Sequence, residues 1–355
     1  MAGGATQVAA RGRGRNNMRA YQLPKGGAGI EALVKVERPT PKPNYRQVLV
    51  KVAACSLNFR DLGIVRGTYR LPVRENVIPL SDGAGEVIEV GEGVRRVKVG
   101  DRVAGNFFQR WNAGEPGPDT HQSALGGGID GMLAEYVVLE EEGVVKIPAH
   151  LSLEEGATLP CAGVTVWHAM VEHARLIAGG TVLLQGTGGV SIFGLQLAKA
   201  MGLQVIITSS SDDKLARAKQ LGADHGINYK TTPDWDKAAM EFTGGRGVDC
   251  VVEVGGAGTI ARSFGSIRVG GKISLIGGLS GPATELNPGM ILAKRANVQG
   301  ISVGSTQMFE AMNRAIAANK IKPIIDKVFG FDEVQAAYRH MASGAHFGKI
   351  VIRLA

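Results

Sequence analysis

The sequence predicts an α/β protein of two domains, a β-rich, barrel-like domain followed by a doubly wound parallel sheet. Three observations carry this reading. The chain of 355 residues is long enough for two cores, at ~100–200 residues per domain. Up to about Val145 it consists of short β-branched runs interrupted by Gly and Pro, the rhythm of a compact all-β module. After Pro148 strands alternate with helical stretches, which is how right-handed βαβ units on a parallel sheet are written.

In the first part, strands are expected at Val48–Val52, Gly85–Val90, Asp101–Val103 and Ala134–Val138. In the second part they are expected at Thr181–Gln185, Gln204–Thr208, Val248–Val254 and Lys272–Ile276, with helical stretches at Ile192–Met201, Asp213–Leu221 and Ile260–Ile267. After Gly304 two more helical stretches lead to a strand at Lys349–Ile352, expected to return to the first domain. The organisation is therefore a disordered or appended leader at residues 1–17, a first domain at 18–148, a second at 149–304 and a returning segment at 305–355.

Hydrophobic residues make up 44% of the chain, and the 51 glycines, well above the average share of ~7%, promise turns and tight backbone crossings. No apolar run approaches the ~18–20 residues needed to cross a bilayer, and the N-terminus lacks the apolar block of a signal peptide. A cytosolic location is the expectation. The three scattered cysteines, Cys55, Cys161 and Cys250, form neither a disulfide framework nor a metal cluster and suit a reducing compartment. The net charge of +8 owes three charges to Arg11, Arg13 and Arg15 in a Gly/Ala-rich leader. That leader alone favours a nucleic-acid partner, and an RNA-binding arm is the minor reading.

The chemistry begins at Gln185-Gly186-Thr187-Gly188-Gly189-Val190-Ser191, which follows the strand Thr181–Leu184 and opens an apolar helix. Gly186 permits the tight turn, and Gly188 lets backbone approach a pyrophosphate. The helix end, with Gly189 and Val190, offers free amides. Ser191 replaces the third glycine of the usual fingerprint and is small enough to preserve helix–strand packing. An NAD-binding protein of this kind places an acidic residue ~20 positions further on to hold the ribose 2′-hydroxyl. Here the strand instead ends in Thr208-Ser209-Ser210-Ser211. Ser209 and Ser210 can donate to a 2′-phosphate and Lys214 can supply charge, so NADPH is the expected cofactor. Asp212 and Asp213 keep NADH open as a second one, although Ser211 also reads as a helix N-cap with those acids in its first turn.

Several motifs stand together in order: Ser56-Leu57-Asn58-Phe59-Arg60-Asp61, Gly83-Ala84-Gly85-Glu86-Val87, Val99-Gly100-Asp101-Arg102-Val103, Leu159-Pro160-Cys161-Ala162-Gly163-Val164-Thr165, and the loop at Gly186. In this the chain resembles the medium-chain alcohol dehydrogenases and quinone oxidoreductases from Met18 onward. The resemblance implies a GroES-like catalytic domain, a Rossmann cofactor domain and a substrate cleft between them. It implies no particular substrate. Zinc members hold their catalytic metal with Cys, His and Cys, and the matching positions here are Asn58, Ser81 and Cys161. An amide and a hydroxyl do not replace thiolate and imidazole, and Asn106–Asp130 contains no cysteine for a structural zinc, so no metal is expected.

Without a Lewis acid, negative charge on a substrate oxygen must be met by hydrogen-bond donors. The matching candidates are Asn58 and Tyr69, with Thr165 touching the nicotinamide end and Cys161 a small wall residue of the same site. Tyr229 is placed over the adenosine 2′-phosphate. Asp61 and Asp82, which back the metal in zinc enzymes, need cationic partners if buried, and Arg60 and Lys349 are the candidates. Phe59, Phe107, Phe108 and Trp111 fall where they could line an apolar pocket for a hydrophobic or aromatic substrate, though each alone is more often core. His168 and His173 read as satisfied structural histidines. The function expected is NADPH-dependent, zinc-independent hydride transfer to or from a carbonyl/alcohol or activated C=C/quinone substrate. An NAD-linked secondary alcohol dehydrogenase, or a cofactor-binding protein with an RNA-binding role, are the alternatives. A homodimer joined along Val298–Val303 is also expected, since an open apolar edge strand invites pairing.

Overall fold

The structure, a computed structural model, describes residues 17–281 and 285–354. The basic leader therefore lies outside the described residues, except that Asn17, assigned to it from sequence, opens the first strand. Fifteen strands follow in order: β1 Asn17–Gln22, β2 Val34–Pro39, β3 Gln47–Ser56, β4 Asp82–Val90, β5 Arg102–Gly105, β6 Tyr136–Glu140, β7 Val144–Lys146, β8 Thr181–Gln185, β9 Gln204–Ser209, β10 His225–Asn228, β11 Val248–Glu253, β12 Ile267–Leu275, β13 Asn297–Gly300, β14 Ile325–Gly330 and β15 Lys349–Arg353.

The first domain is a sheet of order β14-β15-β3-β4-β5-β7, with β6 also on β3. β3 and β4 extend beyond the expected runs because Gly85 lets them cross closely: a Cβ there would stand 2.0 Å from the Lys51 carbonyl oxygen. Strand β15 pairs antiparallel with β3 and parallel with β14.

The second domain is a six-stranded sheet of order β10-β9-β8-β11-β12-β13, parallel at every pairing, which is the Rossmann order. Strands β8 and β11 are buried at every position and read as continuous apolar runs because helices cover both faces. Val182, Leu184, Val205 and Ile207 pack with the helix Gly189–Ala200 in one core. Leu183, Ile206 and Val251 pack with Trp235 and Phe264 on the other face, the period of two expected of a strand. The first of these cores continues through Ala54, Ala84 and Phe107 into the first domain.

Strand β12 starts at Ile267, ahead of the expected Lys272, because Ile267 already pairs with Val248 and the intervening Gly270 and Gly271 mask the strand pattern. Strand β13 forms the sheet's edge, but only Val298 of it is partly buried, the other residues being exposed. The apolar edge expected there is thus largely polar, and the apolar side chains nearby, Ile301 and Val303, turn into the core.

Candidate functional site

A cleft of about 1980 Å³ runs between the domains, past the carboxyl ends of β8, β11 and β12. This is the crevice at the topological switch point, where doubly wound sheets bind ligands. Asn58, Tyr69, Cys161, Thr165, Gly186, Gly188, Gly189, Val190, Ser209, Ser210, Lys214 and Tyr229 all line it.

The glycine loop is shaped as its sequence demands. Gly186 turns at φ +72°, a conformation that disfavours a side chain. Ser191 does more than fill the third glycine's place, since its hydroxyl donates to the Gln185 carbonyl oxygen at 2.6 Å and ties the helix start to the strand end. Close helix–strand packing falls instead to Gly194, where a Cβ would stand 2.9 Å from the Leu184 Cδ2. Beneath the loop, the Glu253 carboxylate is fully buried. It accepts from Gln185 Nε2 at 2.8 Å, Gly256 N at 2.8 Å, Thr259 Oγ1 at 2.6 Å and Ser263 Oγ. This network, unread in the sequence, fixes the Val254–Thr259 wall of the cleft. The order of strands is the signal that would have found it, because β11 neighbours β8 at the switch point.

At the end of the cleft beside β9 and β10, Tyr229 is exposed and Ser210 is partly so. Ser209 is buried, its hydroxyl accepting from Ser211 N at 3.3 Å. Ser211 caps the following helix by accepting from Lys214 N at 3.4 Å. The Lys214 ammonium donates to the Gly344 carbonyl at 2.7 Å, so it is anchored beside the cleft. Asp212 turns to Asn228 and accepts from its amide at 2.8 Å. The segment carrying Gly344 closes the cleft from the other side, with Gly348 N donating to Thr187 O at 3.0 Å. His346 on this segment also lines the cleft. Burial first, and then Lys214, hold its imidazole down to about 4. Nothing local in the sequence signals that His346 meets the glycine loop.

At the opposite end Asn58 begins the helix Phe59–Val65. Its backbone N–H donates to Asp61 Oδ2 at 2.8 Å, and its Oδ1 accepts from the Lys349 ammonium at 2.6 Å. Since an ammonium only donates, the orientation of the amide is defined: Oδ1 faces Lys349 and Nδ2 is left free. That nitrogen is buried with no hydrogen-bond partner of ordinary geometry, although Asp82 still feels the amide as a stabilising dipole. Lys349 also donates to Leu57 O at 2.6 Å and stands 3.9 Å from Asp82 Oδ2.

Asp82 accepts from Ser81 Oγ at 2.8 Å and Cys161 N at 3.2 Å. Arg60 stands 3.5 Å from Asp61, and burial raises the Asp61 carboxyl to about 6 against the pull of Arg60. Burial, and then Asp82, push the Cys161 thiol up, so it is a neutral wall group. Tyr69 lies against Arg60, whose guanidinium carbon is 5.1 Å from its ring centroid. Of the four aromatics, Phe59 and Phe107 line the cleft. Phe108 and Trp111 do not: they are buried in the core, packed on one another and on Phe107 and His168. His168 and His173 make structural contacts, to Val303 O and to Ser274 and Asn297.

A two-domain nucleotide-binding fold with a cleft at the domain junction is the class these features define. Residues 44–149 match the model of the alcohol dehydrogenase GroES-like domain, and residues 189–318 that of the zinc-binding dehydrogenase family. A zinc-type alcohol dehydrogenase-like protein of Schizosaccharomyces pombe is 46% identical over 92% of this chain and 96% of its own. The quinone oxidoreductase of Homo sapiens is 26% identical over 96% of this chain and 99% of its own. The crystal structure of an alcohol dehydrogenase of Sinorhizobium meliloti superimposes with a TM-score of 0.89 at 40% identity, covering 96% of this chain and 99% of that one. The chain belongs to the medium-chain dehydrogenase/reductase family of alcohol dehydrogenase-like and quinone oxidoreductase-like enzymes, the NAD(P)-dependent oxidoreductases. Among the described residues no helix is long and apolar enough to cross a membrane.

Proposed function

We propose that this enzyme is a cytosolic, zinc-independent, NADPH-preferring oxidoreductase acting on a carbonyl/alcohol pair or an activated C=C or quinone in a small hydrophobic substrate. The observation that carries the zinc-independent part is the Lys349 ammonium seated on Asn58 Oδ1. A cation already occupies the acceptor that would face a metal, and Ser81 is engaged with Asp82. Among the described residues no three His, Cys, Asp or Glu side chains come together as a ligand set. These groups do not fit zinc.

When bound, a reduced nicotinamide supplies a hydride. The glycine loop and the helix end are suited to its diphosphate. Thr165 borders its reactive end. The chain's remaining task is to stabilise charge on the substrate oxygen, and Asn58 Nδ2, a buried donor that also faces Asp82, is oriented for this by Lys349. Tyr69 is the second donor in this reading.

Preference for the phosphorylated cofactor rests on Ser210, Lys214 and Tyr229, with Asp212 turned away toward Asn228. A 2′-phosphate beside Lys214 gains charge-assisted hydrogen bonds of ~1.5–3 kcal/mol each before desolvation, and screening near the surface leaves about tenfold or more in affinity. Titration of NADPH and NADH against intrinsic fluorescence tests this. Lys214→Ala is expected to weaken NADPH about tenfold and leave NADH nearly unchanged, and Ser210→Asp to reverse the preference. A wild type that prefers NADH overturns the phosphate reading, and elemental analysis finding one tightly held zinc per chain, with chelator-sensitive turnover, overturns the metal-free one.

A further inference from the structure

We propose that Arg60 is the substrate-recognition residue of the cleft, its Nε–Nη2 edge taking the carboxylate of a substrate whose body is apolar. This rests on the reading above only in placing substrate at the Asn58 end. Arg60 lines the cleft, yet its side chain is only 10% exposed. A guanidinium has five N–H donors in a rigid plane. Nη1 is engaged: it donates to the Leu125 carbonyl at 3.0 Å and faces Asp61 Oδ1 at 3.5 Å. Nε and Nη2 are buried without a hydrogen-bond partner of ordinary geometry, although the Tyr69 hydroxyl lies near enough to act on the guanidinium as a weak acceptor. Empty donors on a buried cation are costly, and such groups in folded proteins call for a partner.

The shape of the empty edge says which partner. Nε–H and Nη2–H lie side by side and parallel, at the spacing of two carboxylate oxygens, the fork that distinguishes arginine from lysine. The guanidinium lies against two rings, its carbon 5.1 Å from the Tyr69 centroid and 4.6 Å from that of Phe107. Gly127 packs close beside Nη2, where a Cβ would stand 2.7 Å from it, so only a residue without a side chain lets the guanidinium sit there. Burial opposes the charge, but Asp61 and then Tyr69 outweigh it, so the group stays protonated. Lys349, the other buried cation here, is engaged by Leu57, Asn58 and Asp82. Of the two buried cations at this end, Arg60 is therefore the one with spare donors. A neutral carbonyl would use one of two adjacent donors and leave the charge unanswered. A carboxylate uses both, and Phe107 and Phe59 offer apolar surface for the rest of the molecule. Substrates of this class are aromatic or aliphatic acids that also carry the reducible carbonyl or C=C group.

The test is calorimetric binding to the full chain at low salt, with benzoate as the probe and benzamide as its neutral counterpart, so that no turnover is needed. Wild type is expected to bind benzoate about tenfold or more tightly than benzamide. Arg60→Met is expected to abolish the preference. Arg60→Lys, which keeps the charge and loses the fork, is expected to reduce it severalfold, and decides the matter if the methionine variant does not fold. Equal affinities for the two probes in wild type, or a preference that survives at full size in both variants, overturn the proposal. NADPH titrated into the same wild-type sample separates the two readings: absence of cofactor binding sinks the oxidoreductase proposal and leaves the benzoate comparison intact.

Discussion

Asp61 is a carboxylate kept charged in surroundings that oppose its charge, and stability should register this. Its proton is held more tightly in the folded protein, near 6, than in an unfolded chain. Its contribution to stability is therefore fully present below pH ~4 and lost as pH rises through about 6. Asp61→Asn removes the titration. In urea unfolding, the stability of wild type relative to this variant is expected to fall by up to ~3 kcal/mol between pH 4 and 8; a difference independent of pH would contradict the burial argument. Lys349 gives the converse case. Lys349→Met leaves Asp82 buried without its cation and is expected to cost roughly 3–5 kcal/mol, read from the same unfolding curves at neutral pH. The candidates for both ion pairs were legible from the sequence, because motif order places two carboxylates behind the site. The empty edge of Arg60 was not, since it depends on where Leu125, Phe107 and Gly127 meet the helix that begins at Asn58, and no local pattern records that meeting.

At the scale of elements, two glycines six residues apart separate ligand binding from packing. Gly188 has ordinary backbone geometry, φ −79°, and a Cβ there meets only His346, at 3.9 Å. Gly188→Ala should fold normally and lose about tenfold or more in cofactor affinity, because the methyl fills the approach of the diphosphate. Gly194→Ala drives its Cβ to 2.9 Å from Leu184 and 3.0 Å from Val166. It is expected to lose ~1–3 kcal/mol by overpacking, while the folded fraction keeps its cofactor affinity. Thermal melts with and without NADPH, set beside the binding isotherms, distinguish these outcomes, and the idea fails if both variants behave alike. The Rossmann strands were legible because their buried runs stand between turn signals. β12 was read short because Gly270 and Gly271 interrupt it. β13 was read as apolar because Ile301 and Val303, which belong to the interior, directly follow it.

For the whole molecule, the open edge of β13 is the place to expect a second copy of the chain. Its polar residues do not drive association by themselves, but Leu279 and Leu292 are exposed in the neighbouring segments and can supply apolar area to the pairing. Light scattering at micromolar concentration is expected to show two chains, and Leu292→Glu to shift the population toward one. A wild type that stays monomeric would contradict the expectation. The arrangement of the first sheet bears on how the protein comes to be made. Ser56 on β3 donates to Ile350 on β15 across 294 positions of sequence, and β15 lies between β3 and β14. During synthesis the Ala54–Ser56 end of β3, beyond the part that β6 covers, must therefore wait for its partner strand while the whole Rossmann portion emerges from the ribosome and folds. The sheet of the amino-terminal domain is therefore expected to be completed only once residue 353 is free of the exit tunnel, a slow closure of the kind that long-range strand pairing imposes.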